Sequence, residues 1–341
     1  MKKILIRLII SILIAAVFVW WFKSQGLRLI PSWTDIRTYV EWWTLPTYIG
    51  IIFVFHIIRA WRWVYLLKPV ASVKKRSMMP VAFIGFMAIM VMPLRTGEFV
   101  RPYLINRRAG VSKSAAFGTI AIERVIDGLL VSLWLSFCLV GVESTKSPYV
   151  WSLRILPLAL FSSALIVLIV FLANKEWFKK VVGGIMGFFS GRIRDGVLGV
   201  LDRFWTGLQA LPNRRYVAMF VLLSVVYWGL NACGFWVLAK GTGLDIPFLG
   251  AVAGMAVVAV GILLPAGPGF FGNFQVATLL ALSFYLPDEV LRQEGASIFI
   301  FLLYVLQSGW AILFGLISLI IERIPLDRIL RPFSDETILD E

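Results

Sequence analysis

The sequence predicts an all-α polytopic membrane protein with about six full spans and two re-entrant or broken helical segments, about eight helices in all. Three observations lead there. Sixty per cent of the 341 residues are apolar and only 15 % are charged. Apolar runs of roughly 15 to 25 residues, long enough to cross a hydrocarbon layer of about 30 Å, recur along the whole chain. No long hydrophilic stretch is left over for a soluble domain, so residues 1–322 read as one transmembrane domain and 323–341 as a short cytoplasmic tail.

A formal net charge of +14 raises the question of nucleic acid. The basic residues, however, cluster in short segments between apolar runs, as cytoplasmic loops facing anionic lipid do, and no nucleic-acid partner is expected. Cys138 and Cys233 both lie inside apolar runs, which argues against a disulfide framework. A single histidine, His56, excludes a site built on several His ligands. With no Walker A sequence, Cys/His cluster, nucleophile elbow or dinucleotide fingerprint, neither cofactor nor metal is expected, and the chain reads as a non-enzyme.

Taken in order, Leu8 to Phe22 follows Lys2, Lys3 and Arg7. The bulky Trp20-Trp21-Phe22 is a poor cleavage site, so this is an uncleaved first span with a cytoplasmic N-terminus. Residues 23–45, with Trp33, Trp42 and Trp43, suit the outer interface. A second span, Pro46 to Leu67, returns to Lys68, Lys74, Lys75 and Arg76, the clearest cytoplasmic marker. Within it His56, Arg59 and Arg62 follow at spacings of three; the arginines read as snorkelling anchors and His56 as a satisfied interior residue. The stretch Met78 to Met92 is marginal for a span and has basic residues on both flanks, so it is expected to enter and leave on the inner side.

Ala115 to Val140 and Leu153 to Ala173 form the third and fourth spans. Residues 174–215 mix Trp177, Phe178, Phe188 and Phe189 with eight Lys or Arg, the composition of amphipathic helices on the inner leaflet. A fifth span, Tyr216 to Ala239, precedes two shorter apolar stretches, Ile246–Leu264 and Phe274–Leu286, which flank a Pro/Gly-rich loop. A last span, Ala296 to Ile321, ends at Arg323. With both termini cytoplasmic, the 246–286 pair must enter and leave on the outer side. Two interrupted segments of opposite orientation, one in each half, point to a transporter-like central site and an inverted repeat.

Three constellations carry the candidate chemistry. Arg95, Glu98 and Arg101 stand beside Pro93 and Gly97, which break the helix. Two guanidinium groups around one carboxylate leave a net positive site shaped for phosphate, although the same residues suit a solvated cytoplasmic loop. Glu123, Arg124 and Asp127 lie within an apolar span, where each unpaired charge costs at least ~2.5–3.5 kcal/mol. Glu123 and Asp127 share a face, Arg124 and Asp127 are close enough to pair, and Arg95 and Arg101 are natural partners. Alternatively the span starts later and these residues lock the fold at the interface. The third is Pro265, Gly267, Pro268, Gly269 and Gly272 with Gln275, where a following helix would aim unpaired N–H groups at an anion; a plain turn is the alternative.

The pattern Pro93-x-Arg95-x-Gly97-Glu98-x-x-Arg101, then Glu123-Arg124-x-x-Asp127, then the Pro/Gly loop resembles the flippase-like membrane region of the lysylphosphatidylglycerol synthase family. The resemblance spans roughly residues 5 to 322 and implies an integral membrane protein that binds or moves an anionic lipid between leaflets of the bacterial inner membrane. The family's synthase domain would follow the last span, where only about 20 residues stand here, so no lysyl-phosphatidylglycerol synthesis is expected. Where the family often shows Gly-x-x-Glu, this chain has Gly272-Asn273-Phe274-Gln275, which implies a different headgroup. On this reading Arg95, Arg101 and Arg124 hold the headgroup, while Glu98, Glu123 and Asp127 pair with them between substrates or carry protons. Two rivals stand beside it. One is an intramembrane lipid-modifying enzyme with Glu98 and Glu123 as acid and base. The other is a non-catalytic partner of a lipid- or polysaccharide-modifying enzyme. The partners implied are membrane lipids, with a partner enzyme or a second copy of the chain.

Overall fold

The computed structural model describes residues 16, 17, 20, 28, 30–71, 73–140, 142, 149–187, 191–209, 214–264 and 267–326. The first expected span, Pro265 and most of the tail therefore lie wholly or largely outside the described residues. The described secondary structure is entirely helical, as expected.

A short helix α1 (Trp33–Tyr39) is capped by Ser32, whose Oγ accepts from Asp35 N while Asp35 returns the bond to Ser32 N. It leads into α2 (Thr44–Leu67). Next come α3 (Lys75–Val91), a tight 3-10 turn over Pro93–Phe99, and α4 (Val100–Ala109). The chain then runs through α5 (Lys113–Cys138) and α6 (Val150–Ala173), followed by α7 (Lys175–Met186) and α8 (Gly191–Gln209). The second half comprises α9 (Arg214–Gly241), α10 (Phe248–Gly261), a 3-10 turn over Pro268–Phe270, α11 (Asn273–Ser283), α12 (Asp288–Leu291) and α13 (Glu294–Ile321).

Among the described residues α2, α6, α9 and α13 are long and apolar enough to cross a membrane. At 26 residues α5 is also long enough, at about 39 Å. Its three mid-helix charges, Glu123, Arg124 and Asp127, set it apart in composition.

Both interrupted segments are hairpins. Arg108 at the end of α4 donates through Nε to Ser77 Oγ near the start of α3, at 3.0 Å, so the two ends of the first segment lie together. In the second, a Cβ on Gly250 near the start of α10 would sit 3.2 Å from the ring of Tyr285, just past α11. They enter from opposite ends of the bundle. Helices α2 and α9 are antiparallel: Glu41 N donates to Gly241 O at one end (2.8 Å), while Lys68 Nζ lies over the Tyr216 ring at the other (5.1 Å). The first hairpin starts beside Lys68 and the second beside Gly241. Packing follows the same two-fold pattern: α2 against α9, α3 against α13, and α10 against α5.

Close packing in lipid comes from small residues and shape rather than from water exclusion. On α9, Gly234 faces the Tyr48 ring and Gly241 faces Thr44 of α2, while Gly315 of α13 leaves room for Met87 of α3. The largest cluster of buried residues joins Tyr48, Phe55, Tyr227, Phe235, Met255 and Phe299 at the centre. A second, around Trp63, Met78, Leu104 and Phe220, fills the Lys68 end. There α8 packs against α5, and Lys175 and Lys179 of α7 both pair with Asp202 of α8.

Candidate functional site

The hairpin tips meet. Arg95 adopts φ 58°, a left-handed conformation that bulky residues rarely take. Gly97 lies so close to the end of α3 that a Cβ there would come within 2.1 Å of the Ala88 carbonyl carbon. Only glycine permits that approach. From this turn Arg95 pairs with Glu98 (Nη2–Oε1 2.8 Å) and donates through Nη1 to the carbonyl of Ile262, the C-cap of α10, at 3.2 Å. A cation at a helix C-terminus is favoured there by the carbonyls it faces. The same guanidinium lies 5.4 Å from the centre of the Phe270 ring, which belongs to the opposite tip.

The two carboxylates of α5 are deeply buried and held by a network. Glu123, with no exposed surface, accepts from Arg101 Nη2 at 2.9 Å and Arg62 Nη2 at 3.4 Å; Arg124 Nη2 stands 3.7 Å away. Asp127 receives both terminal nitrogens of Arg62, with Nη2–Oδ2 at 2.6 Å and a shorter Nη1–Oδ1 contact. Trp228 Nε1 adds a third bond to Oδ1 at 3.2 Å, and Arg62 Nη1 also reaches Ser224 Oγ at 2.8 Å. Arg101 stacks over Trp63 at 4.0 Å, in space that exists because Gly85 has no side chain.

This revises two sequence expectations. Arg62 is not a snorkelling anchor: it is 1 % exposed and is the principal partner of Asp127. Asp127 does not pair with Arg124 either. A guanidinium arriving from the facing helix meets the carboxylate fork-to-fork, a geometry denied to a residue one turn away on the same helix.

A cavity of about 180 Å³ lies between the hairpin tips and helices α2, α5, α9 and α13. Its charged lining is Arg59, Arg62, Arg95 and Arg124 against the single carboxylate Asp127. Arg59 rests 4.0 Å from the centre of the Phe86 ring, and its Nε has no hydrogen-bond partner among the described residues; nor do Nε and Nη2 of Arg124. Sequence reading did not place Arg59 here, although its spacing of three from His56 and from Arg62 already set all three along one stripe of α2. His56 is an interior residue as expected, its Nδ1 2.9 Å from Ile52 O.

A second, more open hollow of about 420 Å³ adjoins the cavity and shares Arg95, Arg124 and Leu263 with it. Glu98, Phe99, Phe117, Ile120 and Ala121 line the rest. Of the expected site residues, Arg95, Arg124 and Asp127 therefore face the cavity and Glu98 the hollow. Arg101 and Glu123 lie behind them, fully enclosed. Gly97 shapes the first tip.

The second tip plays a different part from the one expected. Gly269 and Gly272 supply φ 69° and 94°, and Gly267 accepts from Phe270 N at 3.1 Å. Pro268 opens the 3-10 turn. Gln275 is buried and turns back on its own helix, where Oε1 accepts from Gly272 N at 2.8 Å. The glutamine so occupies an N–H that was expected to face an anion. What this tip presents to the cavity is Phe270 and Phe274.

Similarity to known proteins agrees with a membrane protein. The chain is 23 % identical over 262 residues to a UPF0104 membrane protein of Methanocaldococcus jannaschii, covering 72 % of this chain and 78 % of that one. A UPF0104 membrane protein of Methanothermobacter thermautotrophicus is 23 % identical over 229 residues, 62 % of this chain and 66 % of its own. Glycosyltransferase AglD of Haloferax volcanii is 25 % identical over 222 residues; the match covers 57 % of this chain and only 36 % of that protein. No solved structure matches. These relatives are archaeal, so they support a membrane location without specifying the bacterial inner membrane. The model of the lysylphosphatidylglycerol synthase transmembrane region matches residues 8–314, and the chain belongs to that family.

Proposed function

We propose that this protein binds the anionic headgroup of a membrane lipid in its central cavity and carries it between leaflets. The observation that supports this best is the charge imbalance: four arginines line the cavity, and its single carboxylate is already engaged by Arg62 and Trp228. A buried cation without a counter-ion is costly, several kcal/mol after relaxation, and an incoming phosphate would offset that cost. Guanidinium groups also match phosphate oxygens two at a time. Hairpins that enter from opposite ends and meet at the cavity suit alternating access around a fixed site. The basic end, with Lys68, Lys74 and Arg108, is assigned to the cytoplasm by its positive charge.

Leaflet exchange of headgroup-labelled lipids in liposomes tests the reading. Wild type should translocate an anionic lipid. Arg59→Ala, which removes a cation without orphaning a carboxylate, should slow it roughly tenfold or more, the effect of losing one charge-assisted bond. Undiminished exchange in Arg59→Ala would remove the cavity from the mechanism.

A second reading rests on the relative named as a glycosyltransferase. The chain would serve as the membrane partner of a lipid-modifying enzyme, presenting the lipid from the same cavity. Lipid binding without exchange, together with stable co-purification of such an enzyme, would favour it.

A further inference from the structure

We infer that the cavity selects a phosphate-bearing lipid whose headgroup continues into neutral hydroxyls, as glycerol or a sugar does, and disfavours one carrying an amino group. This rests on the reading of the cavity as an anionic headgroup site and narrows its substrate class.

The cavity has two kinds of polar lining. Its cations, Arg59, Arg62, Arg95 and Arg124, come from α2, the first hairpin tip and α5. Helices α9 and α13 contribute Asn231, Gln307 and Ser308, all neutral. Asn231 is half-buried in that lining. The Gln307 amide nitrogen donates to Tyr48 Oη at 3.1 Å. An amide or hydroxyl both donates and accepts, which suits a headgroup hydroxyl. A site built to bond a hydroxyl also discriminates strongly against an analogue that lacks it, because its own polar groups are then left unpaired.

An ammonium group is less well received, because it can use only the acceptor half of these groups and brings a positive charge to a cavity that already holds four arginines. It only donates, and its best acceptor would be a carboxylate. Both oxygens of Asp127 are engaged, by Arg62 and Trp228. Glu123 is fully enclosed and faces Arg62, Arg101 and Arg124. Glu98 is paired with Arg95 in the adjoining hollow. Aromatic faces are the other home for a cation, and three of those in the lining already face an arginine: Phe86 receives Arg59 at 4.0 Å, Tyr227 receives Arg62 at 4.6 Å, and Phe270 lies 5.4 Å from Arg95. A second positive charge would meet the arginines with nothing to offset it.

The hollow that shares Arg95 and Arg124 with the cavity favours a lipid over a soluble phosphate. Phe99, Phe117, Ile120, Ala121 and Leu263 give it an apolar lining directly beside two cavity cations. An acyl chain there would stay in apolar surroundings while its phosphate reached Arg95 and Arg124.

The test measures lipid affinity of the purified protein in detergent by native mass spectrometry. Phosphatidylglycerol, phosphatidic acid and lysyl-phosphatidylglycerol serve as probes, with soluble glycerol 3-phosphate as competitor. Phosphatidylglycerol should bind roughly tenfold more tightly than either other lipid, and glycerol 3-phosphate should not displace it. Asn231→Leu should erase the advantage over phosphatidic acid. Asn231→Asp should raise affinity for the lysylated lipid, a gain that an unfolded variant cannot show. Equal binding of the lysylated lipid, a glycerol advantage that survives Asn231→Leu, or no gain in Asn231→Asp would each overturn the inference while leaving the headgroup site standing. Displacement by glycerol 3-phosphate would overturn its lipid component. If none of the lipids binds, or Arg59→Ala weakens none, the headgroup reading itself falls and takes the inference with it.

Discussion

Arg62 shows how partner geometry outweighs position at the scale of a single residue. It lies near the basic end of a membrane helix, where a long cationic side chain could reach water, yet it turns inward and is 1 % exposed. The reason lies on the facing helix. Asp127 and Glu123 are themselves buried, and two carboxylates without cations would cost more than desolvating one arginine that serves both. Arg62→Leu should therefore destabilise the protein by about 3–5 kcal/mol, because it strands Asp127. Thermal unfolding in detergent should register that loss, and Arg62→Leu combined with Asp127→Leu should recover part of it. A double variant no more stable than the single one would mean that Arg62 acts by packing on Phe220 and Tyr227 rather than by pairing. The same logic separates the arginines by role: Arg62 and Arg101 are held by hydrogen bonds to Asp127 and Glu123, whereas Arg59 rests on the Phe86 ring and Arg124 stands 3.7 Å from Glu123.

At the scale of elements, α7 and α8 are joined by Asp202, which faces Lys175 and Lys179 at 2.8 and 2.7 Å. Hydrogen bonds from Lys175 and then Lys179 hold its carboxyl below the usual carboxylate range. A carboxylate depressed in the folded state contributes stability above its unfolded pKa and loses it as the pH falls through the lower folded value. The pairing of α7 with α8 should thus stay tight at neutral pH and loosen only below about pH 4. Spin labels at Lys180 and Gly196 read this directly: a narrow distance distribution at pH 7, broadened in acid, and already broad at pH 7 in Asp202→Asn. The expected effect is modest because the carboxylate is 40 % exposed and screened by water. Persistence of the acid response in Asp202→Asn would assign it elsewhere. These two helices were legible from composition, since Trp177 and Phe178 alternate with lysines in a way that no span does.

For the whole molecule, the arrangement of opposed hairpins makes a topological prediction. Lys74, before the first hairpin, and Asp245, before the second, are both exposed and lie at opposite ends of the antiparallel α2/α9 pair. In vesicles of a variant lacking Cys138 and Cys233, a membrane-impermeant maleimide should label only one of Lys74→Cys and Asp245→Cys before permeabilisation. Labelling of both from one side would contradict the opposed entry on which alternating access depends.

Much of this architecture could be read from the chain alone. Among the described residues hydropathy placed the long apolar helices to within a few residues, because the bilayer acts as a solvent on each segment separately. The two interruptions were visible as proline and glycine inside apolar sequence, since backbone freed from a helix must be resolved locally. Charges within a span also announced themselves, because their cost does not depend on which partner relieves it. What sequence could not decide is the choice of partner. Arg62 stands 65 residues from Asp127, and the Arg95 guanidinium reaches a carbonyl 167 residues away at the opposite tip. Nor could it show that Gln275 caps its own helix while Asn231 faces the cavity. Burial and charge type follow from the residue and its neighbours in sequence. The direction in which a buried polar group turns follows from the donor or acceptor that the folded chain brings within about 3 Å, and only tertiary structure determines that.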